Sequence, residues 1–191
     1  MTTAQTHPWP PQDAQLVLQD WLSMEQLALE KRLAPDVFSA SLWRTQSGLQ
    51  NILGMLEGLT PPAPMADQLN FCLVHVSQGR VIFQGQPQLG HLNPMGTVHG
   101  GWYATILDSA LGCAVHTMLP AARAYTTSQL NIQLVRSIPM TEQRVQAVGE
   151  VVHCGRQMAT AQGQLRGPAG TLYAHATCTC MIFDIPESKT P

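Results

Sequence analysis

Apolar and polar positions recur with two different periods along this chain, and the change of period divides it. Over residues 12–33, Val17, Trp21, Met24 and Ala28 fall at helical spacing, while Asp20, Glu25 and Glu30 lie off that stripe. This predicts an amphipathic helix. Pro35 interrupts it, and a second helical stretch is predicted over residues 39–57 before Thr60-Pro61-Pro62-Ala63-Pro64 stops it. From Leu69 the period becomes two. FCLVHV, a Ser77-Gln78-Gly79 turn and RVIFQG together predict a β-hairpin. A Gly-, Pro- and Asn-rich loop, GQPQLGHLNPMG, leads into VHGGWYATILDSALGCAVHTML, a helical stretch that is apolar nearly all round. After Pro120 come four β-rich segments, 125–137, 142–153, 158–166 and 171–183, separated by turn signals.

The order of two strands, one long helix and four strands predicts an α+β fold in which a curved antiparallel sheet wraps around a long central helix. The expected division is an N-terminal helical extension over residues 1–60 and the sheet-and-helix domain over residues 61–191. A helix patterned like residues 12–33 gains most of its stability from packing. The extension is therefore expected to dock on the domain or on a partner chain, covering sheet or interface surface without supplying a catalytic group.

Composition narrows the function classes. The 191 residues carry 12% charged and 45% hydrophobic side chains, which predicts a single folded domain whose surface is partly covered, as a homo-oligomer would cover it. Ten Lys and Arg and a net charge of −2 leave no basic stripe for nucleic acid. The five cysteines contain no C-x-x-C pair and lie in apolar stretches, which points to reduced core residues. The opening MTTAQTHPWPP lacks the basic start and apolar run of a secretion signal, so the cytoplasm is the expected location. Residues 98–119 approach the length of a membrane span, but Asp108 and His116 within it and the β-rich remainder argue against one.

Asp108 is the anomaly of the central helix, because a carboxylate amid core-like residues must be paired, protonated or used. Gly100 and Gly101 stand at the expected first turn of that helix. Backbone N–H groups there lack intrahelical partners and the dipole favours negative charge, so a substrate oxygen can be polarised at that point. Eight residues separate Gly100 from Asp108, roughly 12 Å along one helix. The two cannot act on one carbonyl within a chain. If both act, the carboxylate comes from a second, antiparallel copy of the helix, and the protein is a two-fold dimer with two shared sites.

The run N-P-M-G-T-V-H-G-G-x₆-D from Asn93 to Asp108, followed by YTTSQLNIQLVRSIP, resembles the phenylacetate-degradation type of hotdog-fold thioesterases, related to the 4-hydroxybenzoyl-CoA thioesterases. The resemblance extends over about residues 48–184. It implies a hotdog fold and hydrolysis of an acyl-CoA thioester without a metal, and no cofactor beyond the CoA of the substrate. It also implies a homodimer or a dimer of dimers. By the same resemblance Asp108 matches the catalytic carboxylate, as general base or nucleophile, and Gly100 matches the residue whose N–H polarises the carbonyl. Asn93 matches a loop residue near the thioester or water, and Thr127, or Thr126 if the register shifts by one, matches a hydroxyl that positions water or the carboxylate. His99 matches a residue that shapes the loop and helix entry beside Gly101. Arg136 and Arg156, at strand ends, are candidates for the CoA phosphates. Trp102, Tyr103, Met95 and Met118 are candidates for shaping the acyl pocket. Two other readings stay open: a hotdog hydratase or dehydratase using His99 and Asp108, and a non-catalytic acyl-CoA-binding or scaffold protein.

Overall fold

The computed structural model describes residues 13–37 and 40–185. The opening segment read for a secretion signal, residues 1–11, lies outside them. Four helices lead the chain: α1 (Ala14–Lys31), α2 (Ala40–Thr45), α3 (Gly48–Leu56) and α4 (Pro64–Gln68). The expected helix over 39–57 is thus two, because Ser47 caps α3. Its side chain accepts from the Gln50 N–H, and the Gln50 side chain accepts from the Ser47 N–H, a reciprocal capping box that starts a new helix. The proline cluster does not only stop a helix. Pro64 takes the first position of α4, where its missing N–H costs nothing.

The hairpin β1 (Phe71–Ser77) and β2 (Arg80–Gly85) turns at Gly79, whose φ of +75° suits glycine. The long helix α5 (Gly100–His116) follows, then β3 (Arg123–Leu134), β4 (Val145–Cys154), β5 (Met158–Arg166) and β6 (Leu172–Asp184). All neighbours pair antiparallel in the order β1-β2-β4-β5-β6-β3. The sheet packs its inner face on α5, where Ile106, Leu107, Ala110, Leu111, Ala114 and Val115 are wholly buried. Gly149 of β4 lets the helix come close: a Cβ there would lie 2.4 Å from the Ala110 carbonyl oxygen.

α5 is not buried all round, as its composition suggested. Gly101, Thr105, Asp108, Ser109 and Cys113 form a stripe, at spacings of three and four, that stays partly open in the single chain. Beside it runs β3, a twelve-residue edge strand with most of its side chains exposed or half-buried. The opposite edge, β1, packs against α1, α3 and α4.

α1 lies on the outer face of the hairpin. Met24 packs against Cys72, Val74 and Ile82, and Val17, Trp21 and Ala28 are half-buried. Glu25, off the apolar stripe, also turns inward. It pairs with Arg144 at 2.5 Å and accepts from the Gln84 amide, whose Nε2 also donates to the Trp21 carbonyl. None of the described helices is long and apolar enough to cross a membrane.

Candidate active site

The loop before α5 is built to hold the helix entrance. The Asn93 carboxamide oxygen accepts from the N–H groups of Met95 and Thr97, and its Nδ2 donates to Thr97 Oγ1 at 2.8 Å. Gly96, at φ +77°, completes the turn. The His99 N–H donates to the His91 carbonyl, and the His91 ring stacks on Trp102. His99 itself is the N-cap of α5: its Nδ1 accepts from the Gly101 N–H at 2.9 Å. The cap therefore occupies Gly101's donor. Gly100, one residue earlier in the first turn, keeps an N–H with no carbonyl behind it in the helix.

Asp108 sits half-buried two turns further along, on the open stripe. Thr127 Oγ1 donates to its Oδ1 at 2.9 Å, while Thr126 points to the exposed side of β3. Tyr125 and Thr127, two apart on the strand, face the same way. The Tyr125 ring fills the space that Gly112 leaves on α5, where a Cβ would meet its hydroxyl at 2.6 Å. Asp108, Ser109, Cys113 and Tyr125 line one side of a cavity of about 220 Å³. Its other walls come from β1 and the N-terminal helices, including Ala28, Arg32, Met55 and Met65. Burial pushes the thiols of Cys113 and Cys72 up to about 12, so neither supplies a thiolate nucleophile near neutral pH. Among the described residues no group of three His, Cys, Asp or Glu stands close enough to hold a metal.

Residues 95–178, which carry the entrance from Met95 onward together with Asp108 and Thr127, match the Thioesterase superfamily. No curated protein matches the chain. Among solved structures, a phenylacetic acid degradation-related protein of Ralstonia eutropha JMP134 is 26% identical, with a TM-score of 0.63 over 69% of this chain and 98% of that one. The E. coli PaaI protein from the phenylacetic acid degradation operon is 18% identical, with a TM-score of 0.61 over 71% and 93%. A thioesterase of Haemophilus influenzae is 14% identical, with a TM-score of 0.61 over 83% and 99%. The chain has the hotdog fold.

The hotdog domain brings Asp108 and Thr127 together and keeps Gly100 apart from them at the far end of α5. Arg136 follows β3 beside the Gly100 end, where the Leu134 side chain approaches Gly100 and the Arg136 carbonyl accepts from the Tyr103 hydroxyl. Arg156 is exposed in the β4–β5 turn, at the end of the sheet where Arg123 pairs with Asp184. The residues expected to shape the acyl pocket do not line this cavity. Trp102 and Tyr103 are core, each 2% exposed, because Trp102 donates to the Leu69 carbonyl and the Tyr103 hydroxyl accepts from the Ile138 N–H. Met95 is on the surface and Met118 lies near Gly79. Asp108 and Ser109 stand three and four residues after Thr105, Cys113 stands four after Ser109, and Tyr125 precedes Thr127 by two. That periodicity could have revealed Ser109, Cys113 and Tyr125 as site neighbours.

His116, one turn beyond Cys113, is 2% exposed and packs against the rings of Trp43 and Tyr125. Burial lowers its pKa to about 4, so it is neutral at pH 7. The folded value lies below the ordinary 6.5, so the unfolded chain binds more protons between the two. Stability is then full above about pH 6.5 and is lost as the pH falls toward 4, by about 3 kcal/mol in all. Urea unfolding at pH 7 and pH 4.5 is expected to show most of this loss in the wild type. A His116→Gln variant, with no group to titrate there, should lose correspondingly less.

Proposed function

We propose that the protein hydrolyses acyl-CoA thioesters to a carboxylic acid and free CoA. The reading is carried by one juxtaposition: a half-buried carboxylate, Asp108, oriented by the Thr127 hydroxyl, opens onto a mostly apolar cavity in the middle of α5. The residues on either side suit acyl transfer to water. Asp108 takes a proton from water as it adds to the thioester carbonyl, or attacks that carbonyl itself to form an anhydride that water then hydrolyses, releasing the acid and restoring the carboxylate. The Gly100 N–H, aided by the dipole of α5, receives the developing oxyanion. Collapse of the tetrahedral adduct expels the thiolate, which leaves without the protonation an amine requires.

Because Gly100 and Asp108 stand roughly 12 Å apart on one helix, the site is assembled from two copies of the chain. The open stripe on α5 and the unpaired edge of β3 are the surfaces for that assembly. A long edge strand left bare would invite pairing with other chains, and a second β3 satisfies it. Asn93 and His99 hold the loop and helix entry that present Gly100. Arg136, at the Gly100 end of β3, is the candidate for the CoA phosphates, while Arg156 lies beside Arg123 at the opposite end of that strand. The Ralstonia structure, 26% identical, supports the phenylacetate-degradation branch, and the cytoplasm remains the expected compartment.

The test is release of free thiol from a panel of acyl-CoAs by the purified full chain. Saturable release from at least one thioester is the expected result. Binding of CoA without any release would favour a binding protein, and loss of enoyl absorbance without release would favour a hydratase.

A further inference from the structure

A second cavity of about 360 Å³ adjoins the one at Asp108, and its walls include Val37, Trp43, Ile52, Pro64 and His116. Four residues, Met55, Ala63, Cys113 and Tyr125, line both cavities. They are the shared wall, and in a joined cavity the neck, between a chamber holding the carboxylate and a chamber whose outer wall includes Val37, Trp43 and Pro64. We propose that the two chambers are one acyl channel, and that its substrates are thioesters of extended, uncharged aliphatic chains of about ten carbons. This rests on the thioesterase reading of Asp108 and names the acyl group that reading leaves open.

Three observations carry the assignment. The first is length. Asp108 and His116 mark the channel's two ends on α5, eight residues and about 12 Å apart. An extended chain advances ~3.3–3.6 Å for every three backbone bonds, so 12 Å takes about ten bonds. The second is volume. The chamber at Asp108 alone falls below the ~300–1,000 Å³ usual for a small-molecule site, and with the second chamber it falls within that range. The third is chemistry. The distal wall is Ile52, Val37, Trp43, Pro64 and a neutral His116, with the only carboxylate, Asp36, exposed at the rim. Val37 and Pro64 are themselves solvent-exposed, so the far end is open, and no Lys or Arg among its lining residues offers a terminal carboxylate a partner.

The N-terminal segment thereby becomes part of the specificity apparatus. Its helices place Met55 and Ala63 at the neck and Trp43 at the far end. Each methylene buried in such a channel strengthens binding about fourfold when its full transfer free energy is realised.

The experiment is kcat/KM of the full-length protein for straight-chain acyl-CoAs of four to sixteen carbons, in the wild type, Ala63→Trp and Met55→Ala. The wild type is expected to rise by about two- to fourfold per methylene up to about ten carbons and then level or fall. Ala63 is exposed at the neck, so tryptophan there can fill the channel with little cost to the fold. It should cut the ten-carbon to four-carbon ratio at least about tenfold, whereas Met55→Ala, which widens the neck, should raise it. A wild-type profile that is flat or falls from four carbons, or a ratio that Ala63→Trp leaves unchanged, overturns the proposal. If no thioester of any length is hydrolysed, the thioesterase reading fails separately. Calorimetric binding of 1-decanol, a neutral ten-carbon chain, then decides the channel: saturable binding that Ala63→Trp abolishes upholds it, and absence of binding overturns it.

Discussion

Replacement of Asp108 by asparagine is expected to lower kcat for thioester hydrolysis at least about a hundredfold, the usual scale for a positioned acid–base or nucleophilic group. The fold should survive. Asparagine has the same shape, and its carboxamide oxygen can still accept the hydrogen bond from Thr127 that the Asp108 carboxylate accepts at 2.9 Å. The carboxamide cannot take a proton from water or form an anhydride with the acyl group. The loss should therefore appear in kcat, with KM changed little and the thermal unfolding profile preserved. Activity within tenfold of the wild type would remove Asp108 from the chemistry. Oxygen-18 from labelled water, followed during a single turnover of the wild type, tests the nucleophile role: label in the Asp108 carboxylate marks an anhydride opened at the aspartyl carbon, whereas an unlabelled enzyme together with no acyl-enzyme trapped by hydroxylamine marks the base.

Where the sequence pattern is local, the structure follows it. The period-two hairpin, the long apolar helix and the four later strands depend on neighbours within a few residues, and each stands within a few positions of its expected bounds. The capping box at Ser47 and Gln50 was equally readable, since Ser-x-x-Gln ahead of an apolar run is a start signal, and it breaks the helix expected over 39–57. Glu25 shows where pattern fails. A charged residue off the apolar stripe reads as solvent-facing, but Arg144 and Gln84, distant in sequence, give it a partly buried partner set. The site divides the same way. Asp108 and the glycine pair stood out because they violate the helix's own pattern. Met55 and Trp43 are ordinary apolar residues on short helices, and Ala63 caps another. Only the packing of α3 against β1 and α5, of α4 against β1 and of α2 against α3 and β3 brings them to the cavity, so no periodicity marks them.

Gly100→Pro is the sharpest test of the oxyanion assignment, because it removes one N–H and little else. Gly100 is the first residue of α5, the one helical position where proline is favoured. The preceding His99 already has φ −64° and ψ 136°, the extended conformation that a following proline requires. A Cβ at Gly100 meets only the end of the Leu134 side chain, at 3.3 Å. Helix and cap should persist, while kcat/KM should fall by about 10²- to 10³-fold, as when one oxyanion donor is lost. The same variant decides whether the site is shared. In a dimer whose sites each join one chain's Gly100 to the other's Asp108, a mixed dimer of Gly100→Pro and Asp108→Asn chains has one site with both defects and one site intact. Random pairing makes half of all dimers mixed, so co-expressed variants should recover about a quarter of wild-type activity from two nearly inactive parents. Recovery at that level places the carboxylate and the polarising N–H on different chains. A mixture no more active than its parents, in a sample shown by mass spectrometry to contain mixed dimers, would mean that Gly100 and Asp108 do not serve a common thioester.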